Sequence, residues 1–352
     1  DDRTTLTLDV EYFDDERPND PGLLAFGDGI VDVPRDRIVS EPDDVVERSF
    51  VTGGYRFEHD FSSNWQVRNA FRYSSQDYNS NFFLPIAFNE TTGLAARLNG
   101  ATDWYQDYYG LQTDVVGNFA TGSLNHQVLL GFDLSRDHSD INARVDFSAP
   151  SILDIFDPVY GNVQRLSFDQ LPNAARVQEV TTTRWGVFAQ DQIELTEGLN
   201  VLAGIRYDTV SQDVENAPAL FDSTGSEVSQ TVDAITPRLG IVYQPLPELS
   251  LYASYSQSFT PSSATDVDGD LLTPETGEGF EIGVKTELFD SRLIATLAYF
   301  DFTRQNVATL DPDAPPFTNA SIATGEQRSQ GVELDLVGEN LPGWNIIADY
   351  AY

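Results

Sequence analysis

Cysteine and methionine are both absent from this 352-residue chain, lysine occurs once, at Lys285, and histidine only at His59, His126 and His138. Without cysteine there is no disulfide framework, no thiolate zinc site and no thiol nucleophile. The three histidines are scattered among strand-like and loop-like stretches, which leaves little for metal catalysis, and no phosphate-binding loop is present. With 20 cations against 56 acids the formal charge is -36, which rules against a nucleic-acid partner because phosphate binding needs clustered cations. No stretch approaches the roughly 20 apolar residues of a membrane helix, and mean hydropathy is -0.30. A chain that begins at Asp1 with no signal peptide is expected to be a mature form or a fragment.

What is abundant is aromatic: 22 Phe and 15 Tyr. They fall in a period-two pattern. Leu6, Leu8, Val10 and Tyr12 share one face, with Thr5, Thr7, Asp9 and Glu11 on the other. The same alternation runs through Val201, Ala203, Ile205 and Tyr207, through Leu249, Leu251, Ala253 and Tyr255, through Phe280, Ile282 and Val284, and through Trp344, Ile346, Ala348 and Tyr350. A strand buried on one face in a soluble sandwich usually spans about 5–6 residues, whereas a tilted strand needs about ten to cross a bilayer. The repeated segments suit the second length, and their aromatic ends (Tyr12 and Phe13, Trp65 and Tyr73, Tyr105, Tyr108 and Tyr109, Tyr299 and Phe300) suit interfacial girdles.

The connections alternate between short and long. Short turns are expected near 62–64, 121–125, 196–199, 245–248, 290–292 and 339–343, and long polar loops near 14–47, 76–103, 136–178, 211–230, 258–278 and 304–328. Short periplasmic turns opposite long extracellular loops are the signature of an up-and-down membrane barrel. The fold class is therefore all-β: a transmembrane up-and-down antiparallel β-barrel. The count is about 13 strands, odd where single-chain bacterial barrels close on an even number, so the sheet is expected to be partial and the chain truncated.

Several segments, in order, resemble the ferrichrome-type branch of the TonB-dependent receptors: Gly54 to Tyr73, Asn142 with its neighbours, Trp185 to Gln192, Ala203 to Asp208, Leu251 to Ser263, Gly279 to Lys285 and Gln330 to Leu334. The most specific is the Tyr-Ser-x-Ser-Phe-x-Pro-Ser-Ser stretch followed by the x-Glu-x-Gly-x-Lys strand. The resemblance implies a barrel of about 22 strands around a plug, with plug and TonB box absent from this sequence. It implies import of a ferric siderophore, energised by the TonB–ExbB–ExbD complex, by a monomer in the outer membrane of a Gram-negative-type bacterium. Outer-membrane lipid and lipopolysaccharide would surround it. It further implies no intrinsic cofactor and no catalysis, ferric iron arriving only as the siderophore complex. Alternatives are a receptor of the same build for cobalamin, haem or another nutrient, and a passive porin.

Recognition of an organic chelate calls for aromatic packing and a few hydrogen bonds. The loop aromatics Phe26, Phe82, Phe83, Phe147 and Tyr160 are the candidate siderophore contacts, Phe82 and Phe83 because contact tyrosines of ferrichrome receptors lie in that loop. In the first loop the family's ligand-touching aromatics are replaced by Gly22, Leu23 and Leu24. Asp266, Asp268 and Asp270 with Gly269 resemble the start of a calcium loop, but Gly277 stands where the bidentate glutamate is needed, so no metal site is assigned. The six long loops hold 32 acids against 10 arginines, a field expected to favour a neutral or cationic hydroxamate complex over an anionic one.

Overall fold

The computed structural model describes residues 3–220, 223–315, 320–341 and 343–352. Its strands are β1 (Thr4–Pro18), β2 (Ala25–Phe26), β3 (Gly29–Ile30), β4 (Val45–Asp60), β5 (Trp65–Asn89), β6 (Leu94–Thr121), β7 (Leu124–Asp154) and β8 (Asn173–Thr196). They continue as β9 (Leu199–Asn216), β10 (Ser226–Leu246), β11 (Leu249–Thr260), β12 (Glu275–Leu288), β13 (Leu293–Leu310), β14 (Ser321–Leu341) and β15 (Trp344–Ala351). Thirteen of them form one sheet in chain order, β1-β4-β5 and onward to β15, every pair antiparallel, and β2 with β3 makes a small separate hairpin. A 3-10 turn at Phe168–Gln170 is the one helical element among the described residues.

Register explains why the sequence alternates. Leu8, Tyr55, Phe71, Leu111, Leu134 and Trp185 are successive cross-strand partners from β1 to β8. One residue along each strand lies the row Asp9, Gly54, Arg72, Gly110, Ser135 and Arg184. Paired residues point to the same face, so the first row lies wholly on one side and the second wholly on the other. The apolar side is the outward one: Leu6, Leu8, Val10, Leu130, Phe132, Leu134, Val187 and Ile205 are all exposed. Stacked exposed rows of this length would be untenable in water and are what a lipid-facing wall requires. The opposite, polar side is the lumenal one.

The turns lie close to where the sequence places them, at 61–64, 122–123, 197–198, 247–248 and 289–292. The long connections are shorter than expected. The first contracts from 14–47 to 19–44, and 76–103 shrinks to 90–93 because β5 and β6 pair almost to their tips. Likewise 136–178 becomes 155–172, 211–230 becomes 217–225, 258–278 becomes 261–274, and 304–328 becomes 311–320. Beyond the bilayer both faces meet water, so the period-two signal ends while the hydrogen-bonded ladder continues. Strand length accordingly reaches 28 residues in β6 and 31 in β7. The β5–β6 turn needs its glycine: Gly93 has φ +74°, and a Cβ there would fall 2.3 Å from the ring of Phe156.

The main apolar cluster of buried residues is not inside the sheet. Val31, Val39, Ala95, Leu153 and Ile155 are buried together, with Leu24, Val33, Phe88 and Tyr160 packed against them. They join the β1–β4 connection to the outer ends of β5, β6 and β7, and make a small lobe on the rim.

Candidate functional site

The lumenal wall comes first, because its residues follow directly from register. Arg56, Arg68, Arg72, Arg184, Arg206 and Arg238 all occupy lumen-facing positions. Two are neutralised within the wall. Arg68 faces Asp114 across the β5–β6 ladder at 2.6 Å, with Asp114 buried. Arg206 grips both Asp133 oxygens at 2.6 and 2.9 Å and also binds Asp208, while its guanidinium lies 5.5 Å from the Phe188 ring centroid. Such forked carboxylate pairing fixes geometry as well as charge. Arg56, Arg72, Arg184 and Arg238 make no ion pair among the described residues and stand exposed to the lumen.

Gly186 makes room for the Arg206 fork, since a Cβ at that position would sit 2.2 Å from Arg206 Nη2. Gly186→Ala is therefore expected to displace the guanidinium and lower stability by about 1–3 kcal/mol, the usual cost of overpacking. Unfolding of the full-length protein in detergent against denaturant would measure it.

On the rim, a buried cluster of charge ties three segments together. Arg97, from β6, is fully buried. Its Nη1 donates to the carbonyls of Val39 and Ser40, both at 3.1 Å, and its Nη2 donates to Glu41 Oε1 at 2.7 Å. Glu41 Oε2 accepts the Gly161 amide from the β7–β8 connection at 2.8 Å. Buried Asp44 accepts the amides of Glu41 and Phe83 and pairs through its other oxygen with Arg165. Hydrogen bonding from Arg165 holds the Asp43 carboxyl below the usual carboxylate range. A depressed acid of this kind contributes above its unfolded value and loses that contribution as pH falls through its folded one; Asp43 is largely exposed, so the effect is small.

The loop aromatics divide accordingly. Phe83 is 2% exposed, and the guanidinium groups of Arg97 and Arg165 lie 5.3 and 5.1 Å from its ring centroid. It is packed into the rim lobe against both cations. Tyr160 packs on the lobe core and donates its hydroxyl to the Ile38 carbonyl at 2.8 Å, which likewise commits it to the loop. Phe82 is half-buried on the lumen-facing side of β5, opposite Gly100, whose missing Cβ leaves space for the ring. Phe147 is exposed at the outer end of β7. Phe26 ends β2, and its side chain lies outside the described residues. The structure thus brings Phe83 and Tyr160 into one lobe and leaves Phe82 and Phe147 as the more accessible pair. Sequence reasoning missed Arg97, Arg165, Glu41 and Asp44; the available signal was a lone arginine inside the apolar run Leu94 to Leu98.

Asp266 Oδ1 accepts the amides of Asp268 and Asp270, so this carboxylate closes its own turn.

An antiparallel sheet with a lipid-facing exterior, an arginine-bearing lumen and a structured outer rim defines the wall of an outer-membrane-type receptor barrel. Residues 1–352 match the family described as "TonB dependent receptor-like, beta-barrel", and the chain belongs to that family. Barrels of this family are outer-membrane proteins of Gram-negative bacteria. The chain is 33% identical over 99% of its length to the metal-pseudopaline receptor CntO of Pseudomonas aeruginosa, covering 49% of it. It is 27% identical over its whole length to the ferrichrome outer membrane transporter/phage receptor of Escherichia coli, covering 49% of that protein. Among solved structures, the siderophore receptor PiuA of Acinetobacter baumannii superposes with a TM-score of 0.85 at 23% identity, over 99% of this chain and 54% of that one, which establishes the shared fold. The chain spans about half the length of the curated relatives it matches. Those relatives are receptors and a transporter, not enzymes.

Proposed function

We propose that this chain is the wall of an outer-membrane receptor that binds a ferric siderophore and imports it with energy delivered by TonB. The observation that carries this reading is the register: it sorts apolar rows outward and arginine-bearing polar rows inward in a family of receptors. The exposed lumenal arginines Arg56, Arg72, Arg184 and Arg238 suit a plug bearing carboxylates, so the wall contributes docking rather than chemistry. Phe82 and Phe147 are the aromatics proposed to touch cargo. Uptake of a labelled ferric siderophore by cells carrying the full-length protein should vanish when TonB is deleted. Uptake that persists without TonB would favour a passive porin.

Within that reading the cargo is a neutral or cationic hydroxamate complex. The chain's charge of -36 acts on approach over about 8 Å at physiological ionic strength. Part of the acid load, including Asp14, Glu47, Asp77, Asp103 and Asp140, lies on outward-facing strand positions, so repulsion is strongest at the rim and weaker in the lumen. The full-length receptor should bind a ferric hydroxamate more tightly than a ferric tricatecholate at low salt, and the gap should narrow at high salt. Tighter binding of the anionic complex at low salt would refute the preference. The name of the relative from Pseudomonas aeruginosa supports a second reading, a metal–pseudopaline complex, and such a complex belongs in the same competition.

A further inference from the structure

Three of the four tryptophans, Trp65, Trp185 and Trp344, stand on the outward face, as anchors at a membrane boundary do. Trp104 does not. On β6 it lies six residues beyond Gly110 and on the same face, so its indole is on the lumen side. Moving the lumenal row Asp9, Gly54, Arg72, Gly110 and Ser135 outward by six residues gives Asp15, Arg48, Tyr78, Trp104 and Ile141, with no register shift on the way. Trp104 is five residues beyond Tyr109, which puts this row roughly 12 Å above the outer girdle at a tilt near 45°. The row is above the hydrocarbon and inside the mouth, where neither lipid nor an interfacial girdle accounts for a large ring.

The rings form a shelf of fixed geometry. The Trp104 indole N–H donates to the Ser139 hydroxyl at 2.8 Å, which holds the ring in place. Tyr78, its cross-strand partner, has its ring centroid 5.9 Å away and its plane tilted by 59°. Both are half-buried, and the Tyr78 hydroxyl makes no hydrogen bond among the described residues. Two rings at such an angle offer a third ring one face to stack on and one edge to meet, the arrangements that aromatic groups prefer. Ile141 extends the apolar surface beyond Trp104, and Phe82 stands four residues further out on the same face of β5. Charge around the shelf is committed elsewhere. Arg48, beside Tyr78, pairs with Asp15 at 3.2 Å and lies 5.1 Å from the Phe13 ring centroid. Arg176, beyond Ile141, is turned to Gln178, and Asp137 accepts from Gln106 at 2.9 Å. The shelf therefore meets a ring by its faces rather than by a charge.

We propose, resting on the receptor reading above, that Tyr78 and Trp104 determine specificity at the lumen mouth by selecting cargo whose organic shell carries an uncharged aromatic ring. The ring stacks on the pinned indole and meets the edge of Tyr78, whose hydroxyl is left to bind a polar atom of the shell.

The test uses the full-length receptor in detergent micelles and two uncharged probes, iron(III) tris(benzohydroxamate) and iron(III) tris(acetohydroxamate). Each is supplied with excess free hydroxamic acid, and the free acids serve as blanks. Affinity is read by calorimetry and by quenching of tryptophan fluorescence. The benzohydroxamate complex should bind about tenfold more tightly, the scale of one added aromatic pair with its buried area. Trp104→Leu, which keeps apolar bulk, should remove that preference and leave the affinity for the acetohydroxamate complex unchanged, whereas Trp185→Leu on the lipid face should keep it. Tyr78→Leu should reduce the preference in the same way, and it decides if Trp104→Leu fails to fold. Equal affinity for the two complexes, no saturable binding of either, or a preference that survives both lumenal substitutions would overturn the proposal. Uptake of a ferric siderophore that depends on TonB, alongside any of those results, would leave the receptor reading standing and strike the shelf alone.

Discussion

Phe132→Arg is expected to destabilise the membrane-inserted barrel by about 2–4 kcal/mol, whereas Ser135→Arg, three residues along the same strand, should cost little. Phe132 lies in the row with Phe57, Asn69, Thr113 and Val187 on the lipid-facing side, nearly midway between the girdle-like pairs Phe119–His126 and Tyr73–Tyr109. Placing a guanidinium there sets it in hydrocarbon with no partner. Ser135 belongs to the lumenal row with Arg72, Gly110 and Arg184, where polar side chains are already the rule. The measurement is the unfolding free energy of the full-length protein in lipid bilayers for both variants. Equal costs would mean that β7 is shifted by one residue, since a one-residue slip exchanges the two faces.

Arg97→Ala should release the β1–β4 connection from the rim. The substitution leaves Glu41 buried without its cation and removes the donors to the Val39 and Ser40 carbonyls. Breaking a buried pair by deleting one member commonly costs about 3–5 kcal/mol, because the surviving charge stays desolvated. The loss is local, as the lobe sits outside the membrane-spanning part of the sheet. Hydrogen exchange should accelerate across 19–44 and 155–166, and protease should cut there, while the lipid-facing strands keep their protection. Replacing both partners, Arg97→Leu with Glu41→Leu, should recover much of the protection. Unchanged exchange in Arg97→Ala would show that the ion pair does not hold the lobe.

The membrane-spanning part of the fold was legible in the sequence because lipid imposes a strict alternation that water does not. Leu6 to Tyr12 and Phe280 to Val284 announce strands by period alone, and their faces agree with the register found. Legibility ended at the bilayer surface. Asp77, Asn79 and Asn81 read as loop residues, yet they continue β5, because a ladder needs only backbone groups once both faces are wet. The rim was opaque for a different reason. Phe83 and Tyr160 have the composition of ligand contacts, and only three-dimensional placement shows two guanidinium groups against one and a backbone carbonyl bound by the other. Arg97 entered the sequence reading only as one of the ten arginines of the long loops; its partners lie 56 to 58 residues away in sequence.

The length of β7 sets the height of the whole rim. Its 31 residues, at about 3.3 Å each and a tilt near 45°, rise to roughly 70 Å along the membrane normal. The hydrocarbon layer takes up only about 30 Å of that. Most of the remainder lies on the side of the long connections, where β6 and β7 pair as far as Leu94 and Asp154 with one interruption at 147–150. The rim lobe is thus carried on a stiff palisade well above the level that the hydrocarbon layer requires. Encounter with a solute therefore takes place far from the bilayer, and the ladder gives the rim a fixed altitude that a loose loop would not keep.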